Sequence, residues 1–201
     1  MLIAIFIVFA YLFGSLNGAI IVCKLAKLAD PREQGSGNAG ATNVLRYGGK
    51  KLAALVMLID LLKGVIPVVI ARFVSIHGCS LSLIAAVTVL GHIYPIFFRF
   101  QGGKGIATTL GAILALSWTV GLIVILTWLI VAIVFQFSSL ASLVSIILLP
   151  LYLLLWSNPQ YILPMFLLTL IVIYRHRTNI QRLLKGEEPK IGKKKKSVKL
   201  L

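Results

Sequence analysis

The stretch IATTLGAILALSWTVGLIVILTWLIVAIVF, from Ile106 to Phe135, contains no charged residue. A helix needs about 20 apolar residues to cross a bilayer, so this run is long for one span and short for two. One long helix would leave the chain on the far side of the membrane, whereas two short helices would return it. The number of spans depends on this choice.

The rest of the chain is equally apolar. Of its 201 residues, 59% are hydrophobic and only 12% are charged, where soluble proteins carry about 25% charged residues. Because a backbone in lipid must satisfy its own hydrogen bonds, and because these runs do not alternate as barrel strands do, we predict an all-α integral membrane protein. The other apolar runs are 2–25, 52–71, 80–98, 139–156 and 160–174.

Charge predicts the topology. The basic stretches 27–51, 99–105 and 175–199 belong on the cytoplasmic side by the positive-inside rule. A single span at 106–135 would carry the last of them outside. We therefore predict two short helices with a turn within 117–121, giving about seven transmembrane helices, an outer N-terminus and a cytoplasmic C-terminus. The alternative is one long helix plus a re-entrant segment.

Acidic residues are scarce, at five against 20 lysines and arginines. The basic surplus, including the tail 193–201, suits anionic lipid, and we expect no nucleic-acid partner. A magnesium site needs clustered carboxylates and a zinc site needs spaced Cys and His ligands, and neither pattern is present. The sequence thus predicts no metal and no cofactor, and disfavours a metal-dependent phospholipid transferase.

The first basic stretch contains GSGNAGATNVLR, residues 35–46. Its G-x-G-x-x-G spacing follows an apolar helix rather than a strand, and a P-loop would need lysine at Ala41, so neither nucleotide motif applies. Consecutive backbone N–H groups without bulky side chains can bind an anion, with Arg46 as a forked donor; a flexible linker is the alternative. The candidate binding residues are Gly35, Ser36, Gly37, Asn38, Gly40, Thr42 and Asn43.

The second stretch, QGGKG at 101–105, precedes a predicted helix. The glycines Gly102, Gly103 and Gly105 permit close backbone approach, Lys104 supplies a charge, and the helix N-terminus favours an anion. We therefore predict a second phosphate site. His92, about two turns earlier, is either a packed core residue or a catalytic one.

The third stretch is YRHRTNIQRLLKGEEPKI, residues 174–191. His176 and Asn179 are three residues apart, which predicts one helix face, and histidine titrates near neutral pH. The arginines at 175, 177 and 182 are either interface anchors or part of a site. Glu188 is expected to pair with a basic residue and fix the tail.

One charged pair lies within an apolar run. Asp60 and Lys63 share a helix face, and charges at membrane depth normally pair or line a cavity. We expect a structural pair, with substrate contact as the alternative.

The three motifs, in this order and spacing, resemble the acyl-phosphate-dependent glycerol-3-phosphate acyltransferases of bacterial membranes, the PlsY family. The resemblance implies transfer of an acyl chain from acyl phosphate to the 1-hydroxyl of sn-glycerol 3-phosphate, without a cofactor. It also implies a cytoplasmic (inner) membrane location with a cytoplasmic active site. One transmembrane domain, 1–192, would carry motif loops 30–51, 99–108 and 174–191, and the enzyme that produces acyl phosphate is a candidate partner.

By this resemblance Ser36, Arg46, His176 and Asn179 are required for activity. Gly102, Gly103 and Gly105 belong to the acyl-phosphate site, and Glu188 is structural. The H-x-x-x-x-D signature of other lipid acyltransferases is absent, so we predict direct transfer, with His176 or the donor phosphate accepting the hydroxyl proton. Ser36 is expected to bond a phosphate or the hydroxyl rather than form an acyl-enzyme. A transporter of an organic phosphate is the alternative function.

Overall fold

The computed structural model describes residues 1–191, so the predicted basic tail at 193–201 and residue 192 lie outside them. All regular elements in this part of the chain are helical, as predicted. Short 3₁₀ turns occupy Ile96–Phe98 and Pro159–Tyr161. The α-helices are α1 (Leu2–Gly14), α2 (Gly18–Leu25), α3 (Ala41–Tyr47), α4 (Gly49–Phe73), α5 (Gly78–Ile93), α6 (Ile106–Leu116), α7 (Trp118–Phe135), α8 (Ser138–Trp156), α9 (Ile162–Arg175) and α10 (Arg177–Leu184).

Four helices are long and apolar enough to cross a membrane by themselves. They are α4, α7, α8 and α5 with its continuation to Phe98, and the bent pair of α1 and α2 would make a fifth. The apolar helices α6 and Pro159–Arg175 are shorter. These lengths and compositions are those of membrane-spanning helices, and the role of the two shorter helices depends on their packing.

The run 106–135 is divided, as predicted, at Ser117. This residue has an extended backbone (φ −154°, ψ 103°), and its hydroxyl accepts from the amide of Val120 at 3.5 Å, which caps the start of α7. The two helices have 11 and 18 residues, so their lengths are about 16 Å and 27 Å. The run therefore forms two unequal helices rather than one long helix.

The apolar run 2–25 does not form one continuous helix, because the chain breaks between α1 and α2 with a bend of 41°. The buried pair in α4 satisfies the backbone groups that the break frees. Lys63 Nζ donates to the Leu16 carbonyl at 2.8 Å, and Asp60 Oδ1 accepts from the Gly18 amide at 3.2 Å. Asn17 caps α2 through the amide of Ile20. Tertiary contacts thus replace intrahelical bonds inside the apolar layer.

Hydrogen bonds between distant segments sort the helix ends into two groups. At one end, which we call the site end, Ser139 of α8 contacts Glu188, and the amide of Ile191 donates to the carbonyl of Gln136 after α7. At the opposite end Arg72 of α4 donates to the carbonyl of Leu116 at the end of α6. All three motif stretches lie at the site end.

Glycine allows the inner helices to approach closely. A β-carbon on Gly64 of α4 would collide with the carbonyl of Thr108 in α6, and one on Gly111 of α6 would collide with the carbonyl of Leu61. Such small residues let helices pack in a membrane, where lipid tails are as apolar as the side chains. The close contact of α4 with α6 fixes the start of α6 within the site.

Candidate active site

A buried carboxylate, Glu188, lies at the centre of the site. Its Oε1 accepts from Ser139 Oγ at 2.7 Å and from Asn179 Nδ2 at 2.6 Å, and its Oε2 accepts from Arg182 Nε at 2.6 Å. Burial acts to raise the pKa of Glu188, but the hydrogen bonds from these three side chains outweigh it and lower the pKa. The carboxylate therefore stays ionised and joins α8, α10 and the segment after α10.

Lys104 is held beside this carboxylate, since its Nζ donates to Asn179 Oδ1. Burial lowers the pKa of Lys104 to about 8; nearby Glu188 opposes this, and Arg182, Arg175 and Arg46 lower it further. Lys104 and these three arginines, contributed by all three motif stretches, form what we call the basic cluster. With Glu188 as its carboxylate, the basic cluster has surplus positive charge suited to phosphate groups.

The loop of residues 102–105, the glycine loop, lies against the end of α5. The amides of Gly102 and Gly103 donate to the carbonyls of Ile93 (3.2 Å) and His92 (3.3 Å). The amides of residues 104–108 donate to no acceptor within residues 1–191. The free N–H groups thus begin at Lys104 and continue into the N-terminus of α6, where the helix dipole favours an anion.

Further unpaired donors lie near this helix start. The Oγ1 atoms of Thr108 and Thr109 and the Nε of Arg175 are buried without a partner in the described part of the chain. Arg175 also lies over the ring of Tyr94 at 5.6 Å. The sequence leaves Arg175 and Arg182 ambiguous, because arginines that follow an apolar run also suit the lipid interface. No sequence motif indicates that Ser139 belongs to the site.

His176 connects α9 to α10 and is 2% exposed. Its Nδ1 donates to the carbonyl of Val172 at 2.8 Å, because a carbonyl can only accept, and its Nε2 makes no hydrogen bond within residues 1–191. Burial lowers the pKa of His176 to about 4; the bond to Val172 opposes this and Lys104 adds to it. The imidazole is thus neutral near pH 7, with a free lone pair on Nε2.

The first motif is shaped by Asn43. Its Oδ1 accepts from the Ser36 amide at 2.8 Å, and its Nδ2 donates to the carbonyls of Pro31 (2.8 Å) and Gln34 (2.9 Å). Gly35 has φ +60°, and a β-carbon there would collide with Asn43 Oδ1. We predicted a binding role for Asn43, but its polar atoms are used inside the loop.

The other first-motif residues surround this scaffold. Ser36 is exposed, and its hydroxyl makes no hydrogen bond with residues 1–191. Arg46 is partly buried in α3. Burial lowers its pKa, Glu188 opposes this and Arg182 adds to it, so Arg46 lies within electrostatic range of the third stretch. Gly37 and Thr42 are exposed, whereas Asn38 and Gly40 are partly buried.

Below the glycine loop, Asp60 and Lys63 form the predicted ion pair at 2.9 Å, with side chains 3% exposed. Within residues 1–191, no group of three or more His, Cys, Asp or Glu side chains is arranged to hold a metal ion.

Fold and site together define a helical integral membrane protein with a basic, anion-accepting site at one end of its bundle. The family model described as "Glycerol-3-phosphate acyltransferase" matches residues 4–186, so the chain belongs to that family and the resemblance is confirmed.

Relatives with that name agree over nearly the whole chain. The protein from Vibrio vulnificus (strain YJ016) is 51% identical over 189 residues, covering 94% of this chain and 92% of its own. That from Coxiella burnetii (strain Dugway 5J108-111) is 49% identical, covering 92% and 96%. Crystal structures of PlsY (YgiH), an integral membrane glycerol 3-phosphate acyltransferase, match with TM-scores of 0.90 in the glycerol 3-phosphate form and 0.88 in the lysophosphatidic acid form. Both are 41% identical and cover 96% of either chain.

Proposed function

We propose that this protein transfers an acyl chain from acyl phosphate to the 1-hydroxyl of sn-glycerol 3-phosphate, giving lysophosphatidic acid and phosphate. The observation that carries the proposal is the basic cluster, in which Lys104 lies within electrostatic range of Arg46, Arg175 and Arg182 and beside the free amides of α6. Both substrates bear phosphate, and the three motif stretches together place positively charged side chains at one end of the bundle. The names of the relatives and the ligand forms of the matching crystal structures support the acceptor and the product.

The reaction balances without an added acid or metal. The acceptor oxygen forms the new ester bond to the acyl carbon, the bond from that carbon to the phosphate oxygen breaks, and its electron pair leaves with phosphate. The hydroxyl proton ends on the phosphate. Lys104 and the α6 amides stabilise the charge that develops on the leaving group.

The proton acceptor is either His176 or the donor phosphate. Nε2 of His176 is free to accept a hydrogen bond from the hydroxyl and orient it, whereas its low pKa makes it a weak base. The leaving phosphate is the final proton carrier in both cases. The exposed hydroxyl of Ser36 has no partnered base, which supports a binding role over nucleophilic attack.

Substrate contacts are proposed from the geometry. Arg46, Lys104 and the glycine loop would bind phosphate groups, Asn179 would orient Lys104, and Glu188 would hold Asn179 and Arg182. Asp60 and Lys63 would be structural. Among the remaining residues of the first motif, the candidates for contact with glycerol 3-phosphate are Gly35, Gly37, Asn38, Gly40 and Thr42, with Asn43 supporting them.

We further propose seven transmembrane helices, with the short α6 and α9 among them, an outer N-terminus and a cytoplasmic site end. The distribution of charge supports this orientation. Of the lysines and arginines within residues 1–191, only Lys63, inside α4, and Arg72, at the opposite end, lie away from the site end. The proposed location is the bacterial cytoplasmic membrane, with one domain over 1–192. Acyl phosphate would arrive from the enzyme that produces it.

Purified protein in detergent, given acyl phosphate and glycerol 3-phosphate, should release free phosphate and form lysophosphatidic acid in equal amounts. Omission of either substrate should abolish both products. A protein that moves glycerol 3-phosphate across vesicles without consuming acyl phosphate would be a transporter and would overturn the proposal.

A further inference from the structure

A buried histidine lies directly beneath the glycine loop. His92 is in the last turn of α5 and is 4% exposed. It belongs to none of the three motifs, and the transfer reaction as described above does not use it. Its contacts on both sides of the ring explain why it is there.

Above the ring, the glycine loop rests on His92. The carbonyl of His92 accepts from the Gly103 amide at 3.3 Å, and the next carbonyl, that of Ile93, accepts from the Gly102 amide at 3.2 Å. A β-carbon on Gly103 would collide with Nε2 of His92 and would lie 2.7 Å from the carbonyl oxygen of Ala39. The imidazole therefore determines how deeply the loop can settle, at the point where the first and second motifs meet.

Below the ring, His92 faces the buried ion pair. Its Nδ1 lies 3.5 Å from Asp60 Oδ1. The same oxygen is 2.9 Å from Lys63 Nζ and accepts from the amide of Gly18. Asp60 is thus fixed by α4 and by the start of α2, and the histidine fills the space between this fixed carboxylate and Gly103.

An apolar side chain would fill that space at lower cost. Nδ1 of His92 is buried without a hydrogen-bond partner among residues 1–191, and such an atom calls for an explanation. The histidine ring is flat and stiff, and one of its nitrogens faces the carboxylate of Asp60. Electrostatic attraction to Asp60 therefore gives the ring a preferred orientation, which a leucine side chain would not have.

We propose that His92 is a positioning residue, which Asp60 orients so that its ring sets the height of the glycine loop and hence the place of Lys104 beside the free α6 amides. The inference rests on the proposed function, in which this loop binds the phosphate of the acyl donor. It predicts an effect confined to the donor, because the first motif keeps its own scaffold around Asn43.

The test compares His92→Leu and His92→Asn with Thr88→Val as the control. Thr88 lies one turn earlier on α5, is buried, and bonds only the carbonyl of Ile84 in its own helix. We expect His92→Leu to raise KM for acyl phosphate about tenfold or more, with kcat and KM for glycerol 3-phosphate changed by less than about threefold. His92→Asn keeps a polar group facing Asp60 and should give a smaller rise, and Thr88→Val should change neither KM.

A double-mutant cycle with Gly103→Ala adds a second measurement. The β-carbon added by Gly103→Ala meets the histidine ring. The fold-change in donor KM of the double variant should therefore differ from the product of the fold-changes of Gly103→Ala and His92→Asn. Independent effects, or a lower kcat or melting temperature with unchanged donor KM, would overturn the proposal. If His92→Leu does not fold, His92→Asn and the cycle still decide. Wild-type protein that releases no phosphate would instead refute the proposed function.

Discussion

Burial and three nearby guanidinium groups disfavour the charged form of Lys104. The lowered pKa of this side chain gives the reaction a pH dependence. Its pKa of about 8 means that the free enzyme has the cation below pH 8 and loses it above. Loss of the cation weakens binding of an anionic donor, so kcat/KM should fall up to about tenfold per pH unit above pH 8. His176, with a pKa of about 4, stays neutral throughout that range.

The check is a pH profile of kcat/KM for acyl phosphate from pH 6 to 10, in wild type and in Lys104→Arg. Arginine stays charged, so the alkaline fall should disappear in the variant even if its activity is lower. An unchanged fall in Lys104→Arg would assign the titration to another group.

Arg46 is half-buried in a short helix, within electrostatic range of Glu188. We expect Arg46→Ala and Arg46→Lys to lower kcat/KM by at least about a hundredfold with little change in melting temperature, because lysine lacks the two-pronged phosphate contact. Lys50→Ala, an exposed residue at the same end, serves as the control. Near-normal activity in Arg46→Ala would exclude Arg46 from the site.

Substitutions at Ser36 and His176 test whether the acyl chain passes directly from donor to acceptor. Both alanine variants should lose most activity, yet no acyl-enzyme should form, because the Ser36 hydroxyl has no bonded base. The measurement is rapid mixing of enzyme with labelled acyl phosphate alone, followed by mass analysis of the peptide that contains Ser36. A stoichiometric burst of phosphate with an acylated Ser36 would establish a covalent intermediate instead.

At the scale of elements, the contact between α4 and α6 places the start of α6 in the site. A valine at Gly111 would push against the carbonyl of Leu61, and backbone cannot move aside as a side chain can. We expect Gly111→Val to lower the melting temperature in detergent by several degrees and to reduce activity as well. Leu62→Val, on the lipid-facing side of α4, should do neither. A stable, active Gly111→Val protein would mean that the two helices can separate without loss.

At the scale of the whole molecule, the two cysteines report the topology. Cys79 is exposed at the end opposite the site, and Cys23 is buried near the site end. A membrane-impermeant maleimide should label Cys79 in right-side-out vesicles without lysis. Lys50→Cys in a Cys79→Ser background should be labelled only after lysis. The reverse pattern would invert the proposed orientation.

The sequence by itself determined the class of protein and the identity of the motifs, and it favoured a division of 106–135 that the structure then showed. These depend on local composition, since hydropathy, glycine spacing and the positive-inside rule act over short stretches. Arg46 and Lys104 were singled out by charge and glycine spacing, and the roles of His176, Asn179 and Glu188 followed from the family resemblance. The structure brings their stretches to one end of the bundle.

Only the tertiary structure decided what each polar group is free to do. The break after α1 has one local support, the Asn17 cap, and its other two supports, Asp60 and Lys63, are more than 40 residues away in the chain. The amides of Gly102 and Gly103 proved to be used by α5, and the free donors start at Lys104. Hydrogen bonds between distant segments leave no local pattern in the sequence. The burial of each polar group and the identity of its partner therefore depend on how the helices pack.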